Sequence, residues 1–108
     1  MAIPELTTEQ RRENLAKAME LRKQRAELRA ELGNGMLSVG DLIAIADRGD
    51  KAAGGMRVKQ MISALPGYGL KRTQEIMRKI GIADNKRVGG LGVAQIRALM
   101  EKLDGVEQ

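Results

Sequence analysis

The sequence predicts an all-α protein, on three observations. Apolar residues recur at three- and four-residue spacing in successive segments, no segment alternates apolar with polar residues as a half-buried strand does, and Gly, Pro and capping residues punctuate the chain where helices would end. The expected architecture is a compact four-helix unit over residues 38–103 that carries a long N-terminal helix. In 108 residues the only aromatic side chain is Tyr68, so the core must be assembled from Leu, Ile, Val, Met and Ala.

Thr7 with Gln10 three positions on forms a capping-box pattern, and residues 8–32 that follow contain neither Gly nor Pro. A long helix starts there. Its apolar positions fall into two narrow stripes, Leu15/Met19/Ala26 and Leu21/Leu28/Leu32, and about half the segment is charged, which suits an appendage laid on the core rather than a central element. Glu13 with Lys17, and Arg25 and Arg29 with Glu31, are spaced as a solvated helix held by local ion pairs would space them. Gly33-Asn34-Gly35 ends this helix. Ser38, three before Asp41, opens a short helix from Val39 to Arg48 that buries Leu42, Ile43 and Ala46, and Gly49 to Gly55 reads as a polar, glycine-rich loop. Met56 to Leu65 is helical by the spacing of Val58, Met61, Ile62 and Leu65, and Pro66 stops it. After the turn Pro66-Gly67-Tyr68-Gly69, a helix over residues 70–80 turns Ile76, Met77 and Ile80 inward, and Gly81 caps it. A loop over 82–92 precedes a last helix, Val93 to Leu103. Val58, Ile62, Leu65, Ile76, Ile80, Ile96 and Leu103 are expected to form a core without residues 1–33.

Composition excludes most chemistry. Without Cys there are no disulfides, thiolate metal sites or thiol nucleophiles, and without His the commonest general base and metal ligand is missing, so the chain is not expected to be an enzyme. No apolar run approaches the roughly 18 residues of a membrane span, and residues 1–14 lack the apolar stretch of a signal peptide, so a cytoplasmic protein is expected. Lys plus Arg is 19 against 14 for Asp plus Glu, a net charge of +5 that attracts polyanions. The excess is not spread evenly. In the window 57–100, Arg57, Lys59, Lys71, Arg72, Arg78, Lys79, Lys86, Arg87 and Arg97 face only Glu75 and Asp84, a local charge of +7 clustered at the two glycine-containing turns.

Basic side chains beside turns whose backbone can approach a ligand closely suit phosphates. In Pro66-Gly67-Tyr68-Gly69 the glycines permit that approach, and the helix that follows opens with unpaired amides at its positive dipole end. The bland alternative is a tight helix-to-helix turn. The second turn, Asn85 to Gly92, places Lys86 and Arg87 ahead of Gly89, Gly90 and Gly92. Tyr68 has two readings, stacking on a base or packing beside the turn. No dinucleotide or P-loop fingerprint occurs, so no nucleotide cofactor is expected.

The run Ala64-Leu65-Pro66-Gly67-Tyr68-Gly69, then Thr73 to Met77, Gly81-Ile82-Ala83, Lys86 to Gly92 and Gln95-Ile96, resembles the helix, two-turn, helix nucleic-acid-binding motif. That motif occurs in a small-subunit ribosomal protein and in some DNA-repair glycosylases. From Leu6-Thr7 and Glu9-Gln10 through Met56-Arg57-Val58 to Gln74-Glu75-Ile76-Met77, nearly the whole chain is similar to actinobacterial-type integration host factor, unrelated in fold to the β-armed proteins of that name. The resemblance implies a nucleoid-associated, largely sequence-independent binder of double-stranded DNA. It places the phosphate-clamping turn on Pro66 to Gly69, the basic loop on Lys86 and Arg87, and a lid helix on residues 8–32. Many relatives carry a further basic residue where Gly89 stands and Lys where Gly67 and Leu70 stand, so backbone contacts gain weight here. The ribosomal relative's basic tail is absent, because residues 104–108 carry no positive charge, which leaves RNA binding as the lesser alternative. Pro4-Glu5 imitates the glycosylase nucleophile, but three residues precede Pro4, whose amine is therefore not free to form a Schiff base. An adaptor role for the long helix is a third, weaker reading.

The chain is thus expected to divide into residues 1–36, a movable lid helix, and 37–108, the DNA-binding unit. The expected contacts are Arg57, Pro66, Gly67, Gly69, Lys71, Arg72, Lys86, Arg87, Gly89, Gly90 and Gly92, gripping phosphates on two sides of one groove as a monomer.

Overall fold

A computed structural model describes residues 7–106, with side chains described through Leu103. Pro4, Glu5 and Leu6 lie outside the described residues, as do Glu107 and Gln108. Six helices follow in order: α1 (Thr8–Asn34), α2 (Val39–Asp47), α3 (Lys51–Gly55), α4 (Val58–Ala64), α5 (Leu70–Ile80) and α6 (Val93–Val106), with a 3₁₀ turn at Val88–Gly90 before the last. No strand occurs among the described residues. The all-α expectation is met.

The capping box at the head of α1 forms as the spacing requires: Thr7 Oγ1 accepts from the Gln10 amide at 3.0 Å and Gln10 Oε1 from the Thr7 amide at 2.9 Å. Ser38 and Asp41 repeat it at α2. The polar loop expected over Gly49 to Gly55 is instead the short helix α3, started by Asp50, whose Oδ1 accepts from the Ala53 amide at 2.9 Å. Glycines at 54 and 55 lower helix propensity, but Ala52 and Ala53 are buried, and their packing outweighs a propensity deficit of about 1 kcal/mol per Gly.

The helices enclose one core, in which Leu32, Leu42, Met56, Val58, Met61, Ile62, Met77 and Leu99 are essentially inaccessible to solvent. Leu65, Tyr68, Ile80, Leu91 and Ile96 lean on it half-buried. The helix α1 packs along α3 and α4, α4 along α5, and α5 along α6. Leu32 therefore corrects the expectation of a core formed without residues 1–33: the end of α1 is part of the interior, with 1% exposure, while Leu15 and Met19 near its start are 58% and 57% exposed. The local ion pairs expected along α1 do not form. Among the described residues the single ion pair is Lys59 Nζ to Asp84 Oδ1, at 3.8 Å.

Candidate nucleic-acid interface

The first turn joins α4 to α5 and turns outward. Pro66, Gly67 and Gly69 are exposed, and the chain reverses through Gly67 at φ 82°, a left-handed conformation that disfavours any Cβ. Gly69 has a different task. It is the N-cap of α5 in extended conformation, φ −76°, with no side-chain cap, and a Cβ placed there would meet nothing within 4 Å. No side chain from elsewhere in the described residues fills the place of that missing Cβ at the head of α5. The buried Thr73 fixes this corner, since both its amide and its Oγ1 donate to the Gly69 carbonyl, at 3.0 and 2.9 Å. The amides of Leu70, Lys71 and Arg72 have no acceptor within the helix, so this end offers donors and the positive end of the dipole to an anion.

Two cations flank those amides. Lys71 and Arg72 are exposed and have no carboxylate within ion-pair distance among the described residues. The Arg72 guanidinium carbon lies 4.8 Å from the centroid of the Tyr68 ring. Tyr68 is half-buried against the core, so one of its faces carries Arg72 and its body packs. Of its two readings, the packing one describes this ring.

The second turn is tied to the scaffold more closely than the sequence suggests. Arg57 and Arg87 face each other in an isolated antiparallel bridge, in which the Val58 amide donates to Lys86 O at 2.9 Å and the Val88 amide to Met56 O at 2.8 Å. Arg87 Nη1 donates to Gly55 O at 2.6 Å. Lys86 is half-buried with its chain over Gly90, where a Cβ would stand 3.6 Å from Lys86 Cε. Gly89 packs on the backbone of Gly54, which a Cβ would approach to 3.1 Å. The Gly92 amide is occupied by Gln95 Oε1 at 3.1 Å. Of these three, only Gly89 is held to glycine by close packing, since a Cβ at Gly90 or Gly92 would meet ordinary van der Waals contacts, whereas a Cβ at Gly69 would meet nothing within 4 Å.

The two turns sit at opposite ends of the α4/α5 hairpin: Pro66 to Gly69 joins the helices, and Lys86 and Arg87 lie against the start of α4. The helix α5 that runs from the first turn is 11 residues long, about 16 Å at 1.5 Å per residue. Sequence reasoning missed a third basic group. Arg22, Arg25 and Arg29 of α1 line an opening of about 230 Å³ with Gln60. Their spacing of three and four residues was the available signal.

A family model described as an S13-like H2TH domain matches residues 32–103, from the buried end of α1 to the core side chain of α6. Integration host factor of Mycolicibacterium smegmatis is 41% identical, over 96% of this chain and 98% of that protein. The chain belongs to the integration host factor family. Integration host factor of Mycobacterium tuberculosis is likewise 41% identical, over 94% of this chain and 96% of its own. A solved structure of sIHF bound to an 8bp palindromic DNA superposes with a TM-score of 0.77 at 33% identity, covering 81% of this chain and 97% of that one. The helix, two-turn, helix unit expected from the sequence is thus matched in this chain, and the match begins within α1 at Leu32.

Proposed function

We infer that this chain is a nucleoid-associated protein of the cytoplasm that binds double-stranded DNA through its phosphates. The observation that carries the reading is the open corner at Gly69: free amides at the start of α5, no side chain in front of them, and Lys71 and Arg72 beside them without carboxylate partners. A phosphate oxygen accepts from the amides, the two cations hold its neighbours, and Arg57, Lys86 and Arg87 meet the backbone at the far end of the hairpin. The solved DNA complex of sIHF supports this reading.

Contacts of this kind fix position without reporting sequence, so preference among sites comes from DNA shape and ease of bending. The chain bends or compacts DNA by gripping separated phosphates, and acts as a monomer without a cofactor and without catalysis. A gel shift decides the class: unrelated DNA duplexes of one length are expected to bind alike, and duplex RNA and ribosomal subunits to bind more weakly. Preferential binding to ribosomal subunits would return the chain to the RNA-binding reading, and binding to one sequence alone would require base readout.

A further inference from the structure

We propose that Arg22, Arg25 and Arg29, together with Gln60, form an oxyanion site on the flank of α1 that takes a phosphate group. The periodicity of α1 sorts its charges. Leu21, Leu28 and Leu32 share one stripe, and on one side of it lie Glu20, Glu27 and Glu31, on the other Arg22, Arg25 and Arg29. The helix is nearly neutral in sum and strongly divided across its width.

The structure keeps the two flanks apart. Glu27 and Glu31 line an opening with Asp50, whereas the opening lined by Arg22, Arg25, Arg29 and Gln60 has no carboxylate in its wall. No arginine of this group has an ion-pair partner among the described residues.

Arg25 is the decisive member. It is half-buried, its guanidinium lies against Gly55, 3.1 Å from where a Cβ would stand, and its Nε is shielded from solvent with no hydrogen-bond partner. A shielded cationic donor without an acceptor is costly, and two further guanidinium groups on the same flank add repulsion. A phosphate in this opening offsets the charge cost: it neutralises the cluster, and its several acceptor oxygens match the forked terminal donors of the guanidinium groups. The Gln60 amide group supplies a neutral donor on the opposite wall.

The chemistry is that of a phosphate oxygen, from a free phosphate compound or a nucleic-acid backbone. The test titrates the ¹⁵N-labelled full chain at constant ionic strength with inorganic pyrophosphate, and separately with a short DNA duplex, following the arginine Nε–H resonances. The Arg25 resonance is expected to shift saturably. The double variant Arg22→Gln, Arg29→Gln, whose changes lie on exposed positions and leave Arg25 packed, is expected to weaken that response about tenfold or more, with its melting transition as the control for folding.

A response to pyrophosphate alone upholds a site for small phosphate compounds. A duplex response that persists in Gly69→Ala upholds a backbone phosphate as the occupant. No saturable change with either probe, or a change the double variant leaves intact, overturns the proposal. Because pyrophosphate is read directly, this outcome is separable from whether the two turns bind duplex.

Discussion

The two glycines of the first turn look interchangeable in sequence, and the structure gives them opposite jobs. Gly67, at φ 82°, is required by the backbone, so Gly67→Ala is expected to cost about 1–2 kcal/mol of stability, visible as a lowered melting temperature. Gly69, at φ −76° with open space around its absent Cβ, is not. Alanine there loses some N-cap preference, about 0.5–1 kcal/mol, and regains about 0.4–1 kcal/mol by restricting the unfolded chain, so stability should barely change. Duplex affinity should nevertheless fall by about 1–3 kcal/mol, because a methyl group stands between phosphate and amides. Wild-type affinity in a folded Gly69→Ala protein would reduce Pro66 to Gly69 to a structural turn. Tyr68 supplies a second test at this scale. Tyr68→Phe keeps the ring under Arg72 and is expected to bind as wild type, whereas Tyr68→Leu releases Arg72 and should weaken binding by roughly 0.5–1 kcal/mol, the scale of an exposed cation–π contact. Loss in both variants would implicate the hydroxyl instead. The turn itself was legible from Pro and Gly, but which glycine needs left-handed backbone was not, since both tolerate it.

Helices were legible where the chain marks both ends. Gly69 and Gly81 bracket α5, and its observed span, Leu70–Ile80, is the one the spacing predicts. The missed helix, α3, hides behind Gly54 and Gly55; only Asp50, a capping residue three before Ala53, announces it. The boundary of the long helix was legible and its role in packing was not, because Leu15 and Leu32 look alike in sequence and only the tertiary contacts separate an exposed leucine from a buried one. This difference changes what a truncation should do. Residues 1–20 include no buried side chain among those described, so their removal is expected to move the melting temperature by only a few degrees. Leu32→Ala in the full-length chain should cost about 2–5 kcal/mol, as a cavity in a sealed core does, and lower the transition by more than about 10 °C. Equal melting of these two variants would contradict the placement of the end of α1. Duplex affinity of the chain lacking residues 1–20 measures the lid separately: a lid that closes over DNA predicts weaker, not abolished, binding.

Across the whole molecule the distribution of charge matters more than its total. The window 57–100 carries +7, yet its cations are not equivalent: Lys71 is exposed, Arg72 is exposed over the Tyr68 ring, Arg87 donates to the Gly55 carbonyl, and Lys86 is folded over Gly90. If about 4–7 phosphates are neutralised, log K should fall linearly with log salt at a slope of about −0.9 per phosphate, which from 50 to 200 mM is a loss of roughly 150- to 6,000-fold. A slope near zero would remove the electrostatic basis of the function. The double variants Lys71→Ala, Arg72→Ala and Lys86→Ala, Arg87→Ala should each make the slope shallower by about 2, uniformly over unrelated duplexes, because each deletes two phosphate contacts. They should separate in stability. Removing Lys71 and Arg72 breaks no hydrogen bond to another element, while removing Arg87 frees the carbonyl at the end of α3 and should cost about 1 kcal/mol, a value kept low by the exposure of the pair. Arg87→Lys divides the two roles of that residue: it retains the charge and loses the forked reach to Gly55, so the salt slope should be that of the wild type while the melting temperature falls by about 4–8 °C. A wild-type melting temperature in Arg87→Lys would mean that the contact with Gly55 contributes nothing to the fold, and that Arg87 is available to DNA without first releasing α3.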